Sequence, residues 1–261
     1  MPLGLYIIGD EILSGKRQDK HFSKVQQLLA ARGMQLQWAQ YLGDDPQALE
    51  RALRASFERG DTVLSCGGIG ATPDDHTRAA SARALGLPLQ LHPQAAELIR
   101  QRIGAAAMGD PDSPLNQQRL QMGVFPAGSD IIPNPYNQIP GYFLRDHYFV
   151  PGFPVMAWPM IEWVLDTRLR ALQRPAGYLE RGMIVQGVVE SEITPLLEGI
   201  EREHQAVKVY SLPSVDDPQW GRHIEVGVKG DPAAVEQAFD SLRQGLLALR
   251  AAIRTETVRS I

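Results

Sequence analysis

The stretch TVLSCGGIGATPDDHT, residues 62–77, carries the reading of the fold. Its first five residues are apolar and β-prone, Gly67, Gly68 and Gly70 turn the chain, and helix-start signals follow. Thr72 reads as an N-cap, Pro73 as the first helical residue and Asp75 as the capping-box partner three positions on. A strand that passes through glycines into a helix is one βα unit. In such a turn backbone N–H groups approach a ligand with no side chain in the way.

Upstream, residues 3–8 read as a short apolar strand, followed by a Gly9-Asp10-Glu11 turn and a helical pattern over 19–32 that ends at Gly33. Residues 36–42 alternate like a strand and 46–58 carry apolar residues at helical spacing. Strands alternating with helices in this way predict an α/β domain, a parallel sheet with helices on both faces. Ligands of such sheets sit at the carboxyl ends of the strands, where the loops 9–15 and 67–73 both fall.

Downstream, helices are expected over 94–103 and 114–122, a turn at 134–137, a hairpin over 142–150 and a last helix over 154–172. Arg174-Pro175-Ala176-Gly177 reads as a boundary between a domain over 1–174 and a smaller α+β domain over 177–261. The second is expected in the order βαββα: strand 183–189, helix 193–203, strands 207–212 and 223–228, helix 233–253.

Composition narrows the function. In 261 residues, 44% are hydrophobic and 21% charged, the balance of a chain that buries a core. The net charge of −4 provides no field for a polyanion, and 177–261 hold 9 Lys and Arg against 13 Asp and Glu, so nucleic acid is not an expected partner. The single cysteine, Cys66, excludes an intrachain disulfide and fits a reducing compartment, with the cytoplasm as default. No signal peptide is expected, and the apolar run 148–165 is too broken by Pro151, Pro154, Pro159 and Glu162 to be a membrane span.

For the glycine turn, one reading is a well-capped strand-to-helix connection and nothing more. The other is a phosphate site. A helix N-terminus attracts phosphate while Asp74 and Asp75 repel it, a conflict that a divalent cation such as Mg²⁺ resolves. Asp10 and Glu11 could join that cluster, and metal-assisted hydrolysis of a pyrophosphate then becomes feasible. Alternatively the carboxylates accept hydrogen bonds from an amino-pyrimidine ring such as a pterin. Both alternatives keep an anionic small-molecule ligand. Cys66, at the end of an apolar strand, reads as a buried structural thiol. His76 reads as a solvated histidine, and the histidine spacing offers no zinc motif. Trp158 and Trp163 read as helix packing.

Five segments resemble a known family: GDEILSG over 9–15, GGIGATPDDHT over 67–77, Pro140-Gly141, PGFP over 151–154 and GVVES over 187–191. The first four are similar to the N-terminal domain of CinA, the competence/damage-inducible protein A family, which has the molybdopterin-binding fold of molybdenum-cofactor biosynthesis proteins, and GVVES with the helix after it matches the small α+β layer that follows the main domain in that family. The resemblance covers nearly the whole chain. It implies a three-layer Rossmann-like domain, self-association as homodimer or homotrimer, and binding of molybdopterin or a nucleotide. It also implies a metal-dependent pyrophosphatase activity on ADP-ribose-like substrates. Carried over by position, Gly9, Ser14, Gly15, Gly67, Gly68, Gly70, Thr72, Thr77, Pro140, Gly141, Pro151 and Gly152 would bind ligand. Asp74 and Asp75 would be catalytic, and Asp10, Asp74 and Asp75 would hold the metal.

The nicotinamide-nucleotide amidase domain of many relatives does not follow in this sequence, so deamidation is not expected. The chain also departs from the family pattern. Ala71 stands in place of proline, His21 in place of asparagine, and Asn137-Gln138 where small residues are usual. Met156 stands where an acid is usual. Asn137 is expected to be able to take a left-handed conformation.

Overall fold

The computed structural model describes residues 2–105, 110, 113–173 and 179–260. The chain forms two compact units, one of Met1–Ala30 with Gln35–Leu172, the other of Ala31–Met34 with Gln173–Ile261. The expected boundary at 174–177 lies outside the described residues.

The first unit begins with β1 (Leu3–Ile8), in which all six residues are buried. A short helical turn α1 (Asp10–Leu13) and α2 (His21–Ala30) lead to β2 (Trp38–Leu42), α3 (Pro46–Arg59) and β3 (Thr62–Cys66). Then come α4 (Thr77–Leu85), β4 (Leu89–Leu91), α5 (Pro93–Ala105), α6 (Pro114–Leu120), β5 (Val124–Pro126) and β6 (Asp130–Ile132). The unit closes with β7 (Gly141–Leu144), β8 (His147–Val150) and α7 (Pro154–Thr167). The main sheet has the order β2-β1-β3-β8-β7-β6. Its first four strands pair in parallel, and β7 and β6 add an antiparallel end.

The apolar runs of β1 and β3 are explained by burial on both faces. Tyr6, Ile8 and Val63 point to one side, into a core with Leu49, Leu53 and Phe57 of α3 and Ala80 and Ala84 of α4. The alternate residues Leu5, Ile7 and Leu64 are equally buried. Helix α3 packs on α4, and α2 on α7, giving the three-layer α/β arrangement expected. Asp45 caps α3 by accepting from Ala48 N at 2.6 Å, and Gly60 ends it with φ 68°.

The start of the helix after the glycine turn differs from expectation. Helix α4 begins at Thr77, not Pro73. Residues 72–75 form a separate turn closed by Asp75 N donating to Thr72 O at 3.0 Å, with Pro73 at its second position, where a fixed φ suits it. Likewise α2 is shorter than 19–32, because Asp19 accepts from the amides of both His21 and Phe22 and so caps the helix from outside.

The second unit comprises β9 (Leu179–Gln186), α8 (Glu190–Glu203), β10 (Val207–Asp217), β11 (Gly221–Gly230), α9 (Pro232–Ala248) and β12 (Ala252–Ser260). Its antiparallel sheet runs β10-β11-β9-β12. Met183, Val185, Val226 and Val228 pack against Ile193 and Leu197 of α8 and Phe239 and Leu242 of α9. The expected helix over 233–253 is corrected here. It ends at Ala248, Arg250 takes φ 59°, and the chain returns as a fourth strand beside β9. Thr255 and Thr257 are β-branched and suit that strand. The order is therefore βαββαβ. Among the described residues no helix is long and apolar enough to cross a membrane.

Candidate functional site

Three loops leave the carboxyl ends of adjacent parallel strands and meet. Gly9 follows β1 and donates to Leu42 O at 3.0 Å; Gly67 follows β3 and donates to Val150 O at 3.0 Å; Pro151-Gly152 follows β8. Above them lies a cleft of ≈ 370 Å³. Of the residues expected to bind ligand, Gly9, Gly67, Gly68, Gly70, Thr72, Pro140, Pro151 and Gly152 line it, as do Asp74 and Asp75.

The remaining expected residues lie elsewhere. Ser14 and Gly15, which follow α1, are exposed and do not line the cleft. Thr77 is buried beneath the turn, its Oγ1 donating to Gly67 O at 3.1 Å and its N to Gly68 O at 3.0 Å. It therefore holds the turn from beneath and does not line the cleft. Gly141 does not line the cleft either, and a methyl group there would collide with the Phe149 carbonyl of the neighbouring strand.

The glycine turn is shaped by backbone demands. Gly67 has φ 112° and Gly68 φ 68°, and a side chain on Gly67 would strike the Ile8 carbonyl oxygen. Asp75 then closes the turn from within. Its Oδ1 accepts from Gly70 N at 2.8 Å, and its Oδ2 from Thr72 N at 2.9 Å and Thr72 Oγ1 at 2.5 Å. Arg78, whose guanidinium pKa burial lowers, donates to Gly70 O and Gln121 O and fixes the turn from behind. The amides of Gly70 and Thr72 are thus engaged by the protein's own carboxylate. Those of Gly68, Ile69 and Ala71 make no hydrogen bond among the described residues.

The carboxylates do not converge as the metal reading requires. Asp10 Oδ1 accepts from Asp44 N at 3.1 Å while Asp10 N donates to Asp44 Oδ2 at 2.9 Å, a reciprocal tie between two loops that keeps Asp10 out of the cleft lining. Among the described residues no group of three or more His, Cys, Asp or Glu could hold a metal ion. With Asp75 engaged by three donors as well, the residues do not fit a preassembled divalent-ion centre. Asp44 and Glu11, which line the cleft, are the acids left beside Asp74. Burial raises the Asp44 carboxyl pKa, and the nearby acids Asp10, Glu11 and Asp74 raise it further against a hydrogen bond from the Asp10 backbone. The Asp74 carboxyl pKa is lowered by the polar groups of its own turn, the neighbouring Thr72 side chain first and then its own backbone amide.

The departures from the family pattern form local structure of their own. His21 is buried, and its Nε2 bonds to Gly152 O at 2.9 Å. Asn137 Nδ2 donates to Met156 Sδ at 3.3 Å, and Asn137 Oδ1 accepts from Asn134 Nδ2 and Ile139 N, ordering the loop before Pro140. The left-handed residue there is Gln138, φ 66°, and not Asn137. Cys66 is buried, which pushes its thiol pKa well up. Trp158 and Trp163 are half-buried on α7, with Lys24 5.5 Å from the Trp158 ring. Sequence reading missed Arg17, Asp44 and Asn134. Arg17 lies two residues beyond the resembling segment 9–15, and charge at one position of a loop says nothing about where it points.

The sequence profile of the family described as "probable molybdopterin binding domain" matches residues 4–171. The chain belongs to that family. Of individual proteins, it is 32% identical to a CinA-like protein of Geobacter sp. strain M21 over 94% of this chain and 58% of the relative. It is 27% identical to a protein of Pyrobaculum calidifontis over 95% of this chain and 96% of the relative. The crystal structure of "the protein CinA with unknown function" from Thermoplasma acidophilum superposes with a TM-score of 0.55 at 25% identity, covering 64% of this chain and 98% of that one. The chain spans a little under three fifths of the Geobacter relative's length. These likenesses bear out the CinA-like molybdopterin-binding fold with its mostly parallel sheet.

Proposed function

We propose that the cleft binds a phosphorylated pterin of the molybdopterin kind, and that this chain acts there as a binding domain without hydrolysis. The observation that carries the reading is the glycine turn. Asp75 closes it internally, and the amides of Gly68, Ile69 and Ala71, in a segment that lines the cleft, remain without a partner among the described residues. Unpaired N–H groups in a turn favour an anion or a carbonyl oxygen. Glu11, Asp44 and Asp74 supply the acceptors that the amino and ring N–H groups of a pterin require. The cleft volume lies within the range of small-molecule sites, and the family description supports the same ligand class.

Metal-dependent hydrolysis of ADP-ribose-like dinucleotides is the finer expectation from the resemblance. It calls on Asp10 and Asp75, whose carboxylates are engaged, so no hydrolytic step is assigned to them. Self-association and residence in a reducing cytoplasm belong to the same reading, the latter supported by the buried free thiol of Cys66. Titration calorimetry with a 6-substituted pterin phosphate is expected to give saturable binding of one ligand per chain. Gly68→Val, which drives a side chain into Thr77 Oγ1, should abolish it. Incubation with ADP-ribose and Mg²⁺, Mn²⁺ or Co²⁺ should release no AMP; metal-dependent release that disappears in Asp75→Ala would overturn the reading.

A further inference from the structure

Beside the cleft, on the other side of Gly152, lies a second cavity of ≈ 300 Å³. The two share Ile8, Glu11, Arg17 and Gly152 in their walls, so they adjoin around the Gly152 backbone. Their charges differ. Among the residues lining the cleft, Arg17 is the one cation against Glu11, Asp44, Asp74 and Asp75. The side cavity has Arg17 and Lys20 against Glu11, with His21 in its wall. Neither Arg17 nor Lys20 has an ion pair among the described residues.

His21 supplies an independent observation. It is 5% exposed, and its Nε2 must donate to Gly152 O, because a carbonyl oxygen only accepts. Its Nδ1 is buried and has no partner among the described residues. A buried polar atom left unpaired is costly and marks a place where a ligand or water belongs. A phosphate oxygen satisfies Nδ1 in either state of the ring: it accepts from the imidazolium, or its P–OH donates to the neutral form.

Resting on the reading above, we infer that this side cavity is the subsite for the terminal phosphate monoester of the ligand, gripped by Arg17, Lys20 and His21 Nδ1, while the ring system lies in the acidic cleft. A phosphate placed in the cleft would meet Arg17 against the acids Glu11, Asp44, Asp74 and Asp75; in the side cavity it meets Arg17 and Lys20 against Glu11 alone. Arg17, on the shared wall, sets the distance between ring and phosphate and is the specificity-determining residue.

The test compares a 6-substituted pterin bearing a side-chain phosphate with its dephosphorylated counterpart by calorimetry, and follows the His21 imidazole signals by NMR during titration with inorganic phosphate. The wild-type chain should prefer the phosphorylated pterin by about tenfold or more, and phosphate should shift the His21 ring signals. In the Arg17→Ala/Lys20→Ala double variant, two exposed positions, the preference should collapse toward unity and the His21 shifts should vanish. His21 signals indifferent to phosphate, or a preference that survives the double variant, would overturn the subsite. If phosphate moves His21 but neither pterin binds, the subsite stands and the pterin reading of the cleft falls.

Discussion

Asp75 accepts three hydrogen bonds from its own turn, one at each of Gly70 N, Thr72 N and Thr72 Oγ1. Asp75→Ala is therefore expected to lower unfolding stability by about 2 kcal/mol, read from urea denaturation, and to weaken pterin binding because the turn loses its shape. A second residue couples stability to pH. His147 stacks on Phe57 at 3.8 Å and bonds to Ser56 Oγ. Its burial, with help from the charges of Arg145 and Arg59, pushes its pKa down to about 3. The folded pKa lies below the unfolded one, so the unfolded chain binds the extra proton first as pH falls. Stability is fully present above about pH 6.5 and is lost as pH falls toward the folded value; at pH 5 the loss is about 2 kcal/mol. Urea midpoints measured from pH 7 to pH 5 should fall more steeply in the wild type than in His147→Gln, and parallel slopes would refute this role for His147.

At the scale of elements, the βα unit around β3 depends on a close approach of backbones. A methyl at Gly67 would meet the Ile8 carbonyl and force a left-handed φ on an L residue, so Gly67→Ala is expected to cost about 3 kcal/mol. Thr77→Val keeps the volume but removes one bond under the turn and should cost about 1 kcal/mol; calorimetric melting of both variants ranks them. In the second unit β12 covers an edge of β9. Deleting residues 252–261 should expose that edge and shift the chain to high-mass species in size-exclusion chromatography. An unchanged elution profile would show that β12 protects nothing.

Over the whole molecule, the net charge of −4 opposes an anionic ligand, so attraction must come from local groups such as Arg17, Lys20 and the free turn amides. Exposed charges are screened by salt, and raising NaCl from about 0.05 to about 0.5 M should weaken binding of the phosphorylated pterin by roughly threefold to tenfold, while the dephosphorylated pterin stays nearly constant. Much of this architecture was legible in the order of residues. Apolar periodicity located β1, β3, α3 and the hairpin of β7 and β8, because alternation and 3.6-residue spacing report which face of an element is buried. Glycines at 67, 68 and 70 marked the edge where the candidate cleft opens, because the positive φ of Gly67 and Gly68 and the closeness of Asp75 to Gly70 exclude side chains. The sequence by itself thus determined the α/β class, the strand edge at which the candidate cleft opens, and the family. What the tertiary structure alone decided is which partner each polar group takes. Asp75 turned inward to its own loop, Asp10 tied itself to Asp44, and Arg17 and His21 came together beside Gly152. Spacing along a chain sets the direction of a side chain within a helix or strand. In a loop that direction follows from which donors and acceptors the rest of the fold brings within about 3 Å, and those arrive from residues dozens to more than a hundred positions away.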